Sequence, residues 1–243
     1  MTGPSLSVVF PAYNEADGIA PALEEASSVL EELRTGGVLG RWEILVVDDG
    51  SNDGTGDLVR KAAIDEPRIR LVEHERNRGV GAGLRSALAE ADGDLVLYTD
   101  ADMPVDLGMV GVALPLLDAG TGLVAGRRAR YDAEGRFRAI SSRAFDVVAQ
   151  LLFGVTVPDV NFPFKLFARS TGLAVGLRSE GALVDVELLA GVEGLGLRIE
   201  SLVMEYRSRQ FGTSKTMSVR LLSKLAVEAL RHRRSIRAGT RQA

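Results

Sequence analysis

The feature of this sequence that most restricts its fold is a regular alternation of short apolar runs with segments of helical periodicity. Five apolar runs have the length of buried strands, at residues 6–12, 43–47, 69–72, 94–99 and 123–125. Apolar residues recur every three or four positions between them, at residues 19–33, 55–64, 79–91 and 107–117. This alternation favours a parallel sheet covered by helices on both faces. We therefore predict an α/β fold, a single domain with a mostly parallel central sheet flanked by helices.

The alternation weakens after Gly126. The later pattern still predicts helices near residues 142–153 and 183–192, a strand at 198–206 and a polar loop at 207–215. A terminal helix is predicted from about residue 217 to residue 237. We therefore divide the chain into a main domain, residues 1–215, and a basic amphipathic C-terminal helix and tail, residues 216–243.

The cysteine and histidine counts exclude several kinds of chemistry. The 243 residues contain no cysteine, which excludes disulfides, thiolate nucleophiles and cysteine-ligated metals. His74 and His232 are the only histidines, so a histidine-rich metal site is excluded and a Ser-His-Asp triad is disfavoured. A metal ion would have to be held by oxygen atoms. The net charge of −4 gives no general attraction to nucleic acid, which we do not expect as a partner.

The sequence predicts a cytosolic, cytoplasmic protein whose C-terminal end contacts a membrane. No apolar stretch reaches the roughly 18 residues of a membrane span, and the first residues do not resemble a secretory signal. Residues 220–241 contain seven basic residues and one acid, Glu228. Apolar residues alternate with these bases, which favours peripheral association with the cytosolic face of an anionic membrane. The alternative is a helix packed on the main domain with a frayed basic tail.

Two carboxylates, Asp100 and Asp102, directly follow the fourth apolar run. Ligands of open α/β sheets bind beyond the carboxyl ends of the strands, so these side chains are candidates for a ligand site. Mg²⁺ and Mn²⁺ prefer such oxygen ligands and keep coordination positions for substrate phosphates. The pair therefore predicts a divalent metal site. The simpler alternative is a solvated turn in which one aspartate caps the next helix.

The ends of the first two apolar runs are polar as well. Tyr13-Asn14-Glu15 follows the first run, and Asp48-Asp49-Gly50-Ser51 ends the second. Carboxylates at this edge of a sheet can accept hydrogen bonds from ribose hydroxyls or from a nucleobase. The alternative is that these residues only terminate their strands, with Ser51 or Asp53 capping the helix that begins near residue 55.

The glycine-rich segment Gly79-Val80-Gly81-Ala82-Gly83 opens the third predicted helix. It reads G-x-G-x-G and follows the third strand, so it does not match the dinucleotide-binding fingerprint. We interpret it as a turn that allows close packing between helix and strand. The sequence contains neither a G-x-x-x-x-G-K-[ST] phosphate loop nor a G-x-S-x-G nucleophile elbow, which disfavours NTPases and α/β-hydrolases.

Basic residues are concentrated where the alternation breaks down. They are Arg127, Arg128, Arg138, Arg143, Lys165, Arg207, Arg209 and Lys215. Guanidinium groups bind phosphate oxygens in pairs, so basic residues beside an acidic metal site suit a substrate with several phosphates. Three acids, Asp159, Asp185 and Glu187, lie in otherwise apolar surroundings, where an unpaired charge would be costly. We expect these acids to be paired, capping or functional.

Seven motifs in order resemble those of the inverting GT-A glycosyltransferases of family 2, namely PAYNE, VVDDGSNDGT, NRGVGAGLRSAL, TDAD, DVNFPFKLF, VDVELL and FGTSK. They are most similar to the branch that transfers mannose or glucose to dolichyl or polyprenyl phosphate. The resemblance extends from about residue 6 to residue 215. It implies a GT-A domain, a nucleoside diphosphate sugar donor of the GDP-mannose or UDP-glucose type, Mg²⁺ or Mn²⁺ as cofactor, and a polyprenyl phosphate as acceptor.

The resemblance also implies roles for individual residues. Asp100 and Asp102 match the pair that binds the metal ion. The matches to nucleotide-sugar ligands are Pro11, Tyr13, Glu15, Asp48, Asp49, Asp100, Arg127, Arg128, Arg138 and Ser142. The matches to acceptor or phosphate ligands are Lys165, Arg207, Ser214 and Lys215. The catalytic candidates, which match acids near the reaction centre or in the acceptor region, are Asp159, Asp185 and Glu187.

One position departs from the family pattern. Mannosyl-transferring relatives often carry a glutamine two residues after the second aspartate of the metal pair, and this chain has Pro104 there. The resemblance therefore gives no third protein ligand for the metal. The departure leaves open a non-catalytic protein that binds a nucleotide sugar on the same fold.

The acceptor determines what the acids must do. A lipid phosphate is already anionic near neutral pH, so transfer to it requires no strong base. A hydroxyl of a soluble metabolite or glycan is the alternative acceptor, and it requires a carboxylate base, with Asp159 as first candidate and Asp185 as second. Among the alternative functions, transfer of a nucleotidyl group instead of a sugar ranks last. The sugar, the nucleotide and the oligomeric state are not determined by the sequence.

Overall fold

The computed structural model describes residues 3–129, 146–147 and 149–207. The strands are β1 Ser5–Ala12, β2 Arg41–Asp48, β3 Ile69–Glu73, β4 Leu95–Tyr98, β5 Thr121–Arg128, β6 Lys165–Ala168 and β7 Arg198–Met204. The helices are α1 Ile19–Thr35, α2 Thr55–Asp65, α3 Val80–Glu90, α4 Val110–Ala113, α5 Arg169–Val175 and α6 Val184–Gly194. Short 3-10 helices lie on both sides of α4, at Leu107–Met109 and Leu114–Leu116, and residues 149–153 are also helical.

The strands form one sheet in the order β3-β2-β1-β4-β6-β5-β7. All neighbouring strands are parallel except β6, which runs antiparallel to both β4 and β5. The predicted α/β domain with a mostly parallel sheet is therefore confirmed. Because β5 and β7 keep the direction of β1, the carboxyl ends of six strands lie at one edge, together with the first residue of β6.

Each face of the sheet packs against its own layer of helices. Val8 and Phe10 of β1 are buried on one face, and Val9 between them is buried on the other. The first face is covered by α1, through Ile19, Leu23, Ala26 and Leu30. The second is covered by α3 and α6, through Leu84, Ala87, Leu88, Leu188 and Leu189. Full burial of one large apolar side chain contributes about 1.5–3 kcal/mol, which explains why the middle of each central strand is mainly apolar on both faces.

Several predicted elements differ from the structure. The helix predicted at residues 107–117 is divided into two 3-10 turns and one α-helical turn, because Pro115 lacks the amide hydrogen that a continuing helix needs. Strand β5 is longer than predicted, and β6 and α5 were not predicted at all.

Some predictions fall outside the described residues. They concern the start of the helix predicted at 142–153, the polar loop beyond Arg207, and the terminal helix at 217–237. The boundary between the main domain and the C-terminal segment also falls there and remains a prediction. In the described part of the chain, no helix is long and apolar enough to cross a bilayer.

Candidate functional site

The polar residues at the carboxyl edge of the sheet form two groups. We call the loops that follow β1, β2 and β3 the loop half. We call the ends of β5 and β7, the start of β6 and the first turn of α6 the ion-pair half. The pair Asp100 and Asp102 follows β4, the strand between them. This edge collects most of the predicted site residues in the described part of the chain.

In the loop half, the segments after β1 and β2 are joined by hydrogen bonds. The amide of Asn14 donates to Ser51 Oγ at 2.9 Å, and Asn14 Oδ1 accepts from the amide of Asn52 at 3.0 Å. Thr55 Oγ1 accepts from the amide of Glu15 at 3.0 Å. Asn14 has a φ of 56°, a left-handed conformation that asparagine tolerates better than most residues. These bonds fix the loop that carries Tyr13 and Glu15.

Asp53 completes this junction. Its Oδ2 accepts from the amide of Ala16 at 3.0 Å, and its Oδ1 accepts from the amide and hydroxyl of Thr55 at 3.0 and 2.6 Å. The N-cap of α2 is Gly54, with no side-chain cap hydrogen bond, so the prediction that Ser51 or Asp53 is the cap residue is wrong. Asp53 precedes the cap and accepts from the first helical amide, that of Thr55. Burial alone would raise the pKa of Asp53, but the hydrogen bonds from Thr55 and Ala16 hold it below its ordinary value.

Asp49 lies at the end of β2, only 5% exposed, with its carboxylate directed at the β3–α3 loop, residues 74–79. It accepts hydrogen bonds from the amides of Arg78 at 2.9 Å and Gly79 at 2.7 Å. Its Oδ1 also lies 2.7 Å from His74 Nδ1, and His74 Nε2 lies 2.9 Å from Ser86 Oγ. Asp49 therefore shapes the loop beside the predicted nucleotide site. Sequence reasoning missed His74, whose only signal was its place after the third strand.

Open space adjoins these groups. Asp48 Oδ1 accepts from the amide of Ser51 at 2.9 Å, and its carbonyl accepts from the amide of His74. A cavity of about 390 Å³ is lined by Glu73, His74, Glu75, Arg76 and Arg78. The loop half thus combines a rigid hydrogen-bonded rim with room for a polar ligand.

Asp100 and Asp102 lie in a turn that is anchored to the sheet. Thr99 donates from its amide to the carbonyl of Val9 at 3.2 Å and from its hydroxyl to the carbonyl of Pro163 at 2.6 Å. The carbonyl of Asp100 accepts from the amide of Met103, whose φ is 51°. Both carboxylate oxygens of Asp102 are shielded from solvent.

The donor set of this turn fits a divalent cation of the Mg²⁺ or Mn²⁺ type. Two aspartates supply hard oxygen ligands and leave further coordination positions to a substrate diphosphate and water. Among the described residues, no group of three or more histidines, cysteines, aspartates or glutamates could hold an ion alone.

The centre of the ion-pair half is a buried contact between Lys165 and Asp185. Lys165 Nζ lies 2.9 Å from Asp185 Oδ1 and donates to the carbonyl of Phe162 at 2.9 Å, and the residue is only 2% exposed. The ammonium also lies 5.7 Å from the centre of the Tyr98 ring. Burial, followed by the nearby charges of Asp185 and Asp100, raises the pKa of Tyr98 well above its usual value. This pair thus lies close to the predicted metal turn.

A second ion pair joins Arg128, at the end of β5, to Asp159. The amide of Arg128 donates to Asp159 Oδ2 at 3.0 Å, and Arg128 Nε lies 3.5 Å from the same oxygen. The guanidinium carbon lies 5.0 Å from the centre of the Tyr206 ring. Asp159 is 2% exposed and has a φ of 57°, and Asp146 accepts from its amide and from that of Val160, both at 3.1 Å.

Asp146 is a site residue that sequence reasoning missed. Burial raises its pKa, although the hydrogen bonds from the amides of Val160 and Asp159 act in the opposite direction. Its position in a helix gave no signal in the sequence, because the residues that it holds come thirteen and fourteen positions later. Asp146 fixes the backbone that presents Asp159 to Arg128.

Glu187, a predicted catalytic residue, points away from Lys165 and holds a loop. Its carboxylate accepts from the amides of Arg178 and Ser179, at 3.0 and 2.8 Å. That loop packs directly on Gly79 and Gly81. The interpretation of the glycine segment as helix–strand packing is therefore wrong for these two glycines, which contact a loop. Only Gly83 contacts a strand, and a Cβ built there would lie 3.7 Å from Val47 Cγ1.

The remaining predicted residues lie at the rim or outside the described residues. Arg207 pairs with Glu25 of α1 at 2.6 Å, and its amide donates to the carbonyl of Pro104 at 2.8 Å. Pro11 and Arg127 are half-buried at the ends of β1 and β5. The residues outside the described ranges are Arg138, Arg143, Arg209, Ser142, Ser214 and Lys215. Their predicted roles remain predictions.

Solved structures support this arrangement at the level of the fold. Glucosyl-3-phosphoglycerate synthase from Mycobacterium tuberculosis, in complex with Mn²⁺, UDP-glucose and phosphoglyceric acid, matches with a TM-score of 0.65 and 23% identity, over 93% of this chain and 80% of that chain. Mannosyl-3-phosphoglycerate synthase from Rubrobacter xylanophilus matches with a TM-score of 0.64 and 21% identity, over 99% of this chain and 76% of that chain.

Curated relatives are more similar in sequence. A dolichyl-phosphate beta-glucosyltransferase of Drosophila melanogaster is 31% identical over 218 residues, which is 83% of this chain and 66% of the relative. One of Trichomonas vaginalis is 27% identical over 95% of this chain and 71% of its own length. The chain thus spans about two thirds of the length of these relatives.

The family model named Glycosyl transferase family 2 matches residues 7–179. This range includes most of β1, all of β2 to β6, the Asp100–Asp102 turn and the loop half, together with the end of β5 and the start of β6 from the ion-pair half. The helix α6 and the strand β7 lie beyond it. The resemblance that the seven motifs indicated is therefore confirmed, and so is the expectation of a glycosyltransferase at the level of the family. The chain belongs to glycosyltransferase family 2.

Proposed function

We propose that this protein transfers a hexose from a nucleoside diphosphate sugar to a polyprenyl phosphate, with inversion at the anomeric carbon. The observation that carries the proposal is the meeting of the Asp100–Asp102 turn with two buried cations, Lys165 and Arg128, at one edge of the sheet. The names of the relatives at 31% and 27% identity support a lipid phosphate as acceptor.

Asp100 and Asp102 are the residues that would hold the divalent cation. When bound there, Mg²⁺ or Mn²⁺ stabilises the negative charge that develops on the diphosphate leaving group. The neighbouring structure with Mn²⁺ and UDP-glucose supports this assignment by analogy of fold. The hydrogen-bonded rim of the loop half, with Tyr13 and Glu15 on one loop and Asp48 at the end of β2, would then orient the nucleoside.

Lys165 and Arg128 carry the positive charge and the donor geometry that suit phosphate oxygens. An ammonium has three N–H donors, and two of those of Lys165 are accounted for by Phe162 and Asp185. A guanidinium has five donors in a planar fork, which suits paired phosphate oxygens better than a lysine would. Their burial strengthens the interaction, because a charge acts more strongly where water is excluded. We assign both cations to phosphate groups of donor and acceptor.

The buried acids have positioning roles in this mechanism. A polyprenyl phosphate attacks through an oxygen that is already anionic, so no side chain needs to remove a proton. Asp159 orients Arg128, and Asp185 orients Lys165, through the contacts at 3.5 and 2.9 Å. Transfer to a hydroxyl would instead require one of these acids as a base, with Asp159 first and Asp185 second.

The membrane contact of the proposal depends on residues 216–243, which lie outside the described residues. Their basic and apolar composition suits the cytosolic face of an anionic membrane. Flotation with anionic and with neutral liposomes tests this, and we expect binding to the anionic vesicles that weakens at high salt. Binding that persists after removal of the residues beyond Lys215 would contradict the assignment to this segment.

The test of function is release of nucleoside diphosphate from a panel of GDP- and UDP-sugars, with Mg²⁺ or Mn²⁺ and with or without a short polyprenyl phosphate. We expect release that depends on the lipid and on the metal, and that is lost in Asp102→Asn. Metal-dependent donor binding without lipid-dependent release would overturn the lipid acceptor. Addition of candidate soluble acceptors to the same assay would then separate a hydroxyl acceptor from a non-catalytic binding protein.

A further inference from the structure

We propose that Glu187 is a positioning residue for the loop half, where the nucleotide would bind, although it lies on α6 in the ion-pair half. It acts through two loops that contact each other. The proposal deepens the function given above and rests on it for the identity of the nucleotide. The first of these loops is the bridging loop, residues 178–181. The second is the β3–α3 loop, which Asp49 holds from the opposite side.

Glu187 is buried, and both of its carboxylate oxygens accept hydrogen bonds from backbone amides of the bridging loop. The residue is only 6% exposed, and both its oxygens lie 3.0 Å from the amide of Arg178. One oxygen also accepts from the amide of Ser179 at 2.8 Å. A carboxylate that accepts two backbone amides in this way fixes the orientation of the peptide groups that follow. The carbonyls of Ser179 and Glu180 are consequently directed at α3.

The bridging loop meets α3 backbone to backbone. The carbonyl of Glu180 accepts from the amide of Gly81 at 2.8 Å, and the carbonyl of Ser179 accepts from Arg85 Nη1. A Cβ on Gly79 or Gly81 would overlap these carbonyls, and Gly79 also has a φ of 91°. Only glycine allows this approach at either position. Gly79 and Gly81, for which the sequence predicted helix–strand packing, thus allow the contact of the bridging loop with the end of the β3–α3 loop and the first turn of α3.

Asp49 holds the β3–α3 loop in the same way as Glu187 holds the bridging loop. It is 5% exposed and accepts from the amides of Arg78 and Gly79. Two buried carboxylates, one at the end of β2 and one on α6, therefore each hold a pair of consecutive amides. The two held segments touch each other through Gly79 and Gly81.

This arrangement separates the roles of two acids that lie only two positions apart in the VDVELL motif. Residues two apart on a helix point in different directions, and here Asp185 contacts Lys165 whereas Glu187 contacts the bridging loop. The loss of Glu187 should therefore disturb the β3–α3 loop and nucleotide affinity, while leaving the Lys165 contact in place. A residue with only a local role would affect the bridging loop alone.

The experiment compares Glu187→Gln with the wild-type chain by amide hydrogen exchange and by binding of UDP and GDP without turnover. We expect the amides of Arg78, Gly79 and Gly81 to lose protection together with those of the bridging loop. We also expect the Kd of the preferred nucleotide to rise about fivefold, the scale typical of residues that couple two sites. Loss of protection confined to the bridging loop, with unchanged Kd, would overturn the proposal.

Two further variants control the experiment. Glu193→Gln makes the same change on α6, where the side chain accepts from the hydroxyl of Thr156, and should change neither exchange nor Kd. Arg85→Met removes the guanidinium from the carbonyl of Ser179 and should open both loops to a smaller extent, which tests the proposal if Glu187→Gln does not fold. Failure of the wild-type chain to bind any nucleotide would overturn the proposed function, whereas the exchange pattern would still decide whether Glu187 holds both loops.

Discussion

The two halves of the carboxyl edge use their acids in different ways. In the loop half, Asp49 and Asp53 accept hydrogen bonds mainly from backbone amides, so that each carboxylate shapes a loop. In the ion-pair half, Asp185 and Asp159 face buried cations. The same residue type thus builds a rigid rim on one side and balances positive charge on the other.

The difference predicts unequal consequences of substitution. Removal of a carboxylate that accepts hydrogen bonds from backbone amides near the surface lowers the free energy of unfolding by about 1 kcal/mol, which is similar to the loss of a helix cap. Removal of one partner of a buried ion pair leaves the other charge uncompensated and costs about 3–5 kcal/mol. The ion-pair half should therefore be the more sensitive of the two, both in stability and in activity.

Lys165→Met should have the largest effect on stability. The substitution leaves the carboxylate of Asp185 without its cation in a site where Lys165 itself is 2% exposed. We expect the free energy of unfolding to fall by about 3–5 kcal/mol in urea denaturation at pH 7. The double variant Lys165→Met/Asp185→Leu should recover much of this loss, because it removes both charges.

The matched control for this prediction is Arg198→Met. Arg198 and Asp118 are 3.0 Å apart, and their side chains are 63% and 60% exposed. Exposed pairs of this kind contribute about 0–1 kcal/mol. Equal losses in Arg198→Met and Lys165→Met would contradict the view that burial distinguishes the ion-pair half.

Asp102→Asn should have the largest effect on activity, because the turn between the two halves would lose one metal ligand. We expect kcat to fall by about 100- to 1,000-fold with little change in thermal stability, which is the scale of a lost electrostatic contact to a developing charge. Asp106→Asn is the control, since Asp106 lies in the same segment and its carboxylate accepts from the amide of Gly108. A similar loss of kcat in both variants would argue against a role for Asp102 in metal binding.

Asp159→Asn distinguishes a positioning acid from a base. Asparagine keeps an oxygen that can accept from the amide of Arg128, so the backbone of Arg128 should stay in position. The variant should nevertheless lose stability, because it removes the charge that faces the buried guanidinium. With a polyprenyl phosphate as acceptor, we expect kcat to fall less than about tenfold and the pH profile to keep its shape. The loss of a general base would instead cost about 100- to 10,000-fold and remove the acidic limb of the profile.

Much of the fold could be predicted because its information is local. The strands β1 to β4 and the helices α1 to α3 each carry their own apolar periodicity, and the acidic residues at the strand ends could be assigned to one edge from topology alone. Strand β6 could not, since its four residues carry no periodicity and their place depends on pairing with β4 and β5. Pro115 interrupted a pattern that otherwise resembles one helix.

The partners of the site residues were less predictable than the residues themselves. Lys165 and Asp185 are brought together by β6 and α6, twenty positions apart, and no spacing rule indicates such a contact. The sequence also does not distinguish a carboxylate that binds a ligand from one that binds amides. Asp49 was predicted to bind the nucleotide sugar and Glu187 to be catalytic, and in the structure the carboxylates of both accept hydrogen bonds from backbone amides.

Asp53→Ala should have the smallest effect, and it tests the loop half. The variant loses the contacts to Ala16 and Thr55, and we expect about 1 kcal/mol of destabilisation at pH 7. Because the pKa of Asp53 is lowered in the folded protein, its stabilisation is fully present above the ordinary aspartate pKa of about 3.9 and is lost as the pH falls through the lowered value. The difference between wild type and variant should therefore shrink in acid.

The control for Asp53→Ala is Asp57→Ala on the same helix. Asp57 pairs with Arg60 at 2.6 Å, but its side chain is 83% exposed, so its removal should cost clearly less. Urea denaturation of both variants between pH 3 and pH 7 measures the comparison. If Asp57→Ala destabilises as much as Asp53→Ala, then surface charge and not amide capping accounts for the stability of this loop. The rigid rim of the loop half would then depend on Ser51, Asn14 and Thr55 alone.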